Sequence, residues 1–331
     1  MSTVVDNKGL EAPSPVKTFL KNNMQLMLVT VALFVILLFF SIAANGFAKP
    51  NIYLDIVLQS AYTGVMALGA TFVIATSGID LSVGTGMSLV AVMAGIFLAG
   101  DKMNLPLGAG LILTLLIGMA IGLVNGLNVS ILGLPPFIAT LAMMEIIYGL
   151  GLLYTNATPL GGYIESYTIF STGKFLGLSF LIWMALLMAG ITWFIFNMTR
   201  HGKYMYAIGG NPQAAEVAGV PVNMTLVLIY AKAAAFYGMA GYMLGAKAGG
   251  ASVNTGLGYE MEAIAACALG GVSVTGGRGK VSSAFIGVAV LELLKTALQY
   301  LGVSPNAQYI AIGIVIFIAA SLDIRKYLTK K

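Results

Sequence analysis

The sequence predicts an all-α polytopic membrane protein with about ten transmembrane helices. Hydrophobic residues make up 59% of the 331 and charged residues 9%, against about 25% charged in soluble domains. A cytosolic fold cannot hide that much apolar surface. Apolar runs long enough to cross a hydrocarbon core of about 30 Å recur along the whole chain. The third observation is an interruption. Residues Thr76 to Gly86 read TSGIDLSVGTG and break one apolar stretch that runs from Ile56 to Leu98.

Met1 to Asn23 is polar, contains Pro13 and Pro15, and reads as a cytoplasmic segment, residues 1–23. The run Met24 to Ala44 has no clean small-residue cleavage site after it, so it reads as an uncleaved first helix and not as a signal peptide. Spans are expected near 24–45, 53–75, 82–100, 106–132, 136–155, 177–197, 225–247, 259–275, 281–301 and 306–323. The runs 82–100 and 259–275 are the weakest and read as short or re-entrant. Residues 24–323 thus form one transmembrane domain, and 324–331 a basic cytoplasmic tail.

Basic residues set the orientation. With the N-terminus inside, Lys8, Lys17, Lys21, Arg200, Lys203, Arg278, Lys280, Arg325, Lys326, Lys330 and Lys331 fall in the cytoplasm, and Lys49, Lys102, Lys174 and Lys247 outside. The reverse orientation violates the positive-inside rule. The net charge of +5 therefore reflects membrane anchoring, with no nucleic-acid partner implied.

The interruption holds Asp80, and a carboxylate facing lipid at a helix centre costs roughly 2.5–3.5 kcal/mol on insertion scales. Gly78, Gly84, Gly86 and nearby Gly69 also weaken a continuous helix. A break packed against protein, where free backbone groups find partners, is the expectation. Ala67 to Gly78 weakly resembles Ala265 to Gly276, and paired broken helices mark substrate paths in many transporters. Shared small-residue composition explains the likeness equally well. Gly118, Gly122 and Gly126 repeat every fourth residue, which suits close helix packing in lipid.

Between spans, residues 200–223 are the most polar interior stretch. Asn211 suits an N-cap and Pro212 the first helical position. Gln213, Ala214, Ala215, Glu216, Val217 and Ala218 mainly favour helix. Gly219 supplies a left-handed C′ position, and Pro221 blocks continuation. A helix this short needs something to dock against, its own protein or a partner.

Glu145, Lys232, Glu292 and Lys295 lie inside spans, where charges face protein or a water-filled cavity. Glu292 and Lys295 are spaced to pair on one helix face; Lys232 reads as snorkelling towards the cytoplasm; Glu145 has no local partner. One cysteine, Cys267, and one histidine, His201, exclude a disulfide within the chain, a Cys/His metal cage and a hydrolytic catalytic set. The outer loop 156–179, with Tyr163, Glu165, Tyr167 and Lys174, suits either a soluble partner or the membrane interface.

Three blocks carry a family resemblance. GIDLSVG at Gly78 to Gly84 resembles the signature of permease subunits of bacterial ribose-type ABC importers. GGNPQAAEVAGVPV from Gly209 is similar to the coupling segment of ribose- and galactose-type permeases. Gly258-Tyr259-Glu260-Met261-Glu262-Ala263-Ile264-Ala265-Ala266, followed by LGGVS and GGRG, resembles a third block, with Glu262 where the family usually has Asp. The tail from Leu301 is similar too, so the likeness runs from about Phe47 to Lys326.

That resemblance implies a type II importer permease fold in the bacterial inner membrane, with both termini cytoplasmic. It implies a second permease copy, a cytoplasmic ATPase with two nucleotide-binding domains that holds ATP and Mg, and an extracytoplasmic sugar-binding protein. Asn211 to Gly219 would be the coupling helix. Ser77, Gly78, Asp80, Ser82, Gly84, Glu262 and Arg278 are candidates for the translocation path and its gate, with Asp80 expected to bond backbone donors or pair with Arg278. The substrate expected is a monosaccharide, ribose-type first and galactose-type second. The alternatives are a nucleoside, an autoinducer-type sugar or a branched-chain amino acid. From another class, an ion-coupled secondary transporter would need Glu145 as its coupling carboxylate. GKF at Gly173, GKY at Gly202 and GKV at Gly279 all fail the phosphate-binding pattern, so the chain itself is expected to bind no cofactor and hydrolyse nothing.

Overall fold

The computed structural model describes residues 15–328. Its elements in order are α1 (Pro15–Ala43), α2 (Pro50–Ile74), α3 (Val83–Leu98), α4 (Leu107–Ser130), α5 (Pro136–Thr155), α6 (Glu165–Thr172), β1 (Lys174–Phe175), β2 (Leu178–Ser179), α7 (Phe180–Met198), α8 (Arg200–Gly210), α9 (Pro212–Val217), α10 (Val222–Ala248), α11 (Tyr259–Gly270), α12 (Val281–Tyr300) and α13 (Pro305–Leu328). The chain is an all-α polytopic membrane protein. Among the described residues, seven helices are long and apolar enough to cross a membrane: α1, α2, α4, α5, α7, α10 and α12. With α3, α11 and α13 they match the ten apolar runs of the sequence.

Boundaries differ at three places. α1 begins at Pro15 and not near residue 24, so part of the expected N-terminal segment is helical. Residues 200–210, for which the sequence marked only a polar stretch, form the amphipathic helix α8, with Gly202, Met205, Ile208 and Gly209 buried. The outer loop is folded as α6 and a small hairpin, in which Lys174 pairs with Ser179.

The core is built around α3. It packs against α4, α5, α10 and α11, and almost every side chain from Val83 to Leu98 is buried. At 16 residues it covers about 24 Å, short of a full crossing. α10 spans the centre and packs on α2, α3 and α4. The glycine strip of α4 makes the last contact possible. A Cβ at Gly118 would sit 2.6 Å from the Ala234 carbonyl, and one at Gly126 2.7 Å from the Val227 Cα. At Gly122 a Cβ would strike the Tyr230 carbonyl. Any side chain there would force the helices apart.

α11 begins part-way down the core. Tyr259 at its start lies against Tyr62, with ring centroids 6.4 Å apart, and Tyr62 is near the middle of α2. The 12 residues of α11 cover about 18 Å, so this run does not cross alone. The connection from α10 descends to reach it. Leu160 and Ala251 exchange backbone bonds of 2.8 Å near its start, and the Gly256 amide donates to Ser88 Oγ at 2.7 Å deeper in. Irregular backbone is tolerated at depth because protein supplies its partners.

The outer-loop aromatics anchor that loop to its own subunit. Tyr167 is fully buried, its hydroxyl donates to the Tyr242 carbonyl at 2.6 Å, and the Tyr163 ring lies tilted against it with centroids 5.1 Å apart. Tyr163 and Tyr167 are therefore spent on packing within the chain; Glu165, Lys174, Phe175 and the hairpin turn Leu176–Gly177 stay exposed.

Candidate functional site: the helix breaks and the α8–α9 helix pair

The first break joins α2 to α3 through residues 75–82. Asp80 is 3% exposed. Its Oδ1 accepts from the Ser82 amide at 2.9 Å and the Ser82 hydroxyl at 2.6 Å. Asn125 of α4 donates to the same hydroxyl at 2.8 Å. Asp80 is thus the acceptor of an Asx-type turn that starts α3. Its Oδ2, Asn125 Oδ1 and the hydroxyls of Tyr230 and Tyr237 are buried without a hydrogen-bond partner among the described residues.

The expected partnership of Asp80 with Arg278 is not formed. Arg278 is exposed in the α11–α12 connection, whereas Asp80 is buried beside α4. The half of that expectation in which Asp80 bonds a backbone donor holds, through Ser82. Ile79 and Leu81 are tied instead to α5: the Leu81 amide donates to Thr140 Oγ1 at 3.1 Å. Gly84 lies backbone to backbone against Gly256, with Glu260 of α11 beside it. Glu260 was not among the sequence candidates; its place three residues before Ala263 on the buried face of α11 was the available signal.

Glu262 is held elsewhere. Lys295 of α12 reaches both its carboxylate oxygens, at 3.1 and 3.0 Å, and Glu292 at 3.6 Å. The sequence paired Lys295 with Glu292 but gave no sign of the stronger tie to α11. Lys295 also stands 5.6 Å from the Tyr259 ring centroid.

The second break, residues 271–280 between α11 and α12, meets the first. The Gly277 amide donates to the Ala75 carbonyl at 2.9 Å, and the Ser77 hydroxyl lies 2.8 Å from the Thr275 carbonyl. Upstream, Cys267 Sγ is 3.3 Å from the Ala67 carbonyl, so the two weakly similar segments run side by side. Ser77 holds a left-handed backbone, φ 63°, which costs a non-glycine residue energy and signals an over-determined position.

α8 closes the junction. The Gly209 carbonyl is 3.2 Å from the Ser77 hydroxyl, and Tyr206 donates to the Gly279 carbonyl at 2.6 Å. A Cβ on Gly209 would collide with the Ala75 carbonyl and the Gly277 amide. Burial and the charge of Lys232 hold the His201 imidazole down to about 4, so it is neutral here.

One residue beyond α8, α9 projects outward. Asn211 caps it by accepting from the Ala214 amide at 2.9 Å. Gly219, φ 83°, ends it in a Schellman motif: Gly219 N–H bonds Glu216 and Val220 N–H bonds Ala215. Pro212, Gln213, Ala214, Glu216 and Ala218 are exposed, and Val217 is 90% exposed. Ala215 is 4% exposed and faces the chain's own protein.

A short exposed capped helix thus adjoins a helix that is bonded to two breaks in a bundle of membrane helices. The profile of the family described as branched-chain amino acid transport system, permease component, matches residues 52–320. The chain belongs to this permease family. It is 39% identical over 293 residues to the galactose/methyl galactoside import permease protein MglC of Escherichia coli K12, covering 84% of this chain and 87% of that one. It is 39% identical to the ribose import permease protein RbsC of Bacillus subtilis over 299 residues, 89% and 92% of the two chains. The ribose import permease of E. coli K12 is 35% identical over 300 residues. No solved structure matches the chain. The permease is thus of the ribose/galactose importer type that its three sequence blocks indicated.

Proposed function

We propose that this permease moves a monosaccharide, galactose- or ribose-like, into the cytoplasm as the membrane subunit of an ABC importer. The observation that carries the reading is similarity, over 84% and 89% of the chain, to permeases named for galactose and ribose import. An amino-acid substrate has the family description in its favour, but the near-full-length relatives named here are sugar permeases.

In this reading the chain sits in the bacterial inner membrane with both termini cytoplasmic. Two copies pair. A soluble binding protein delivers sugar outside, and an ATPase with two nucleotide-binding domains holds ATP and Mg inside. α9 docks in a groove on that ATPase. Its load passes through α8 to Ser77, Gly209 and the Gly276–Gly277 turn. The Gly78–Gly84 break, with Asp80 and Ser82, then serves as a gate element that shifts α3. Glu262 ties α11 to α12, and Arg278 lies at the cytoplasmic face.

The test is uptake into vesicles that contain the permease, its ATPase and its binding protein. Labelled galactose or ribose should accumulate when ATP is enclosed with the ATPase. Accumulation by the permease alone under a proton or sodium gradient would refute the reading and favour a secondary transporter.

A further inference from the structure

We propose that Glu145 contacts the transported sugar directly, on a path walled by the α5 faces of two copies of the chain; this rests on the importer reading above. Glu145 is the tenth residue of the 20 in α5. It stands about 14 Å from either helix end, and two methylenes cannot carry a carboxylate that far. Ala139, Thr140, Met143, Ile147 and Gly151 form the buried side of α5. At 3.6 residues per turn, Glu145 points the opposite way. It is exposed, between the exposed Ile138 and Ile146. A charge in that position is costly against lipid, so protein or water must cover it.

Two further observations identify the cover. The central helix offers no open face, because α3 is enclosed by α4, α5, α10 and α11 and almost entirely buried. A solute therefore needs an outer face, and a second wall opposite it. An isologous pair supplies that wall by setting the same α5 face against itself. Second, α5 carries no lysine or arginine, so a facing copy cannot neutralise Glu145 with a base from the same helix. Ala142 and Gly149 flank it on the outward face, and a Cβ on Gly149 would meet nothing within 4 Å. That leaves room for a hydroxylated solute beside a carboxylate that only accepts hydrogen bonds. Asp80, Ser82 and Gly84 are buried inside one subunit and do not offer such a contact.

Glu145→Leu, Glu145→Gln and Glu145→Cys decide the matter. At equal membrane abundance, Glu145→Leu should lower uptake of galactose or ribose about tenfold, with Glu145→Gln intermediate because an amide still bonds hydroxyls. The thiol in Glu145→Cys should react with a charged, water-soluble reagent, more slowly when galactose or ribose is present, and should cross-link two copies. Cys267 is buried and adds no background. Reaction with a lipid-soluble reagent alone, absence of both sugar protection and cross-linking, or wild-type uptake by Glu145→Leu overturns the proposal. The thiol measurements need no ATP. They stand apart from the importer reading, which fails if the wild-type chain with its partners shows no ATP-dependent uptake.

Discussion

Asp80 is bonded within its own turn, and that decides what its substitution does. Asp80→Asn removes a charge acceptor from two bonds to Ser82 and should destabilise the break by about 1–3 kcal/mol. Arg278→Gln changes an exposed side chain that makes no bond to Asp80. The two losses in thermal stability should therefore add to within about 0.5 kcal/mol; a coupling energy well above that would contradict the observed geometry. Lys295 is a stronger tie. Lys295→Met leaves Glu262 and Glu292 side by side without their base, and should cost about 3–5 kcal/mol, read as early thermal aggregation in detergent. The sequence made the cost of a membrane carboxylate legible at Asp80, because desolvation depends on residue type and depth. It did not make the distant ties legible, because packing brings Asn125 to Ser82 across 43 positions of chain and Lys295 to Glu262 across 33.

Local elements were read more fully. Asn211, Pro212, Gly219 and Pro221 each act through the backbone within a few residues of themselves, so both ends of α9 could be placed from sequence. α8 was missed because RHGKYMYAIGG combines three glycines and a polar outer face, and its helix is held by burial against the two breaks. The direction in which α9 faces was also hidden. Ala215 looked like a docking residue, yet it packs inward. Val217→Arg is the apt probe of ATPase docking. It should weaken co-purification with the ATPase and abolish most uptake while membrane abundance is unchanged. Ala215→Arg should instead disturb the permease's own fold. If Val217→Arg leaves assembly and uptake intact, α9 is a linker on its own protein.

At the scale of the molecule, length and apolarity gave the ten apolar helices and marked α3 and α11 as the short ones, but not where in the bundle each begins. α3 and α11 are short for different reasons: one starts at a buried turn, the other at the end of a descending connection. The same totals of apolar residue serve both. The strip Gly118–Gly122–Gly126 has a consequence for movement. With its glycines seated on the backbone of α10, α4 and α10 share no side-chain cushion along which to slide. They form a single link in the kinematic sense, and any stroke must be taken up at joints elsewhere, of which the Ser77–Gly209–Gly277 junction is the best placed. Spin labels on the exposed Leu116 of α4 and Met224 of α10 should keep one sharp separation through ATP binding and release. A label pair from α9 to α5 should report the stroke. The transporter would then work as a crank, with the α4–α10 pair as its rigid arm and the Ser77–Gly209–Gly277 junction as its bearing.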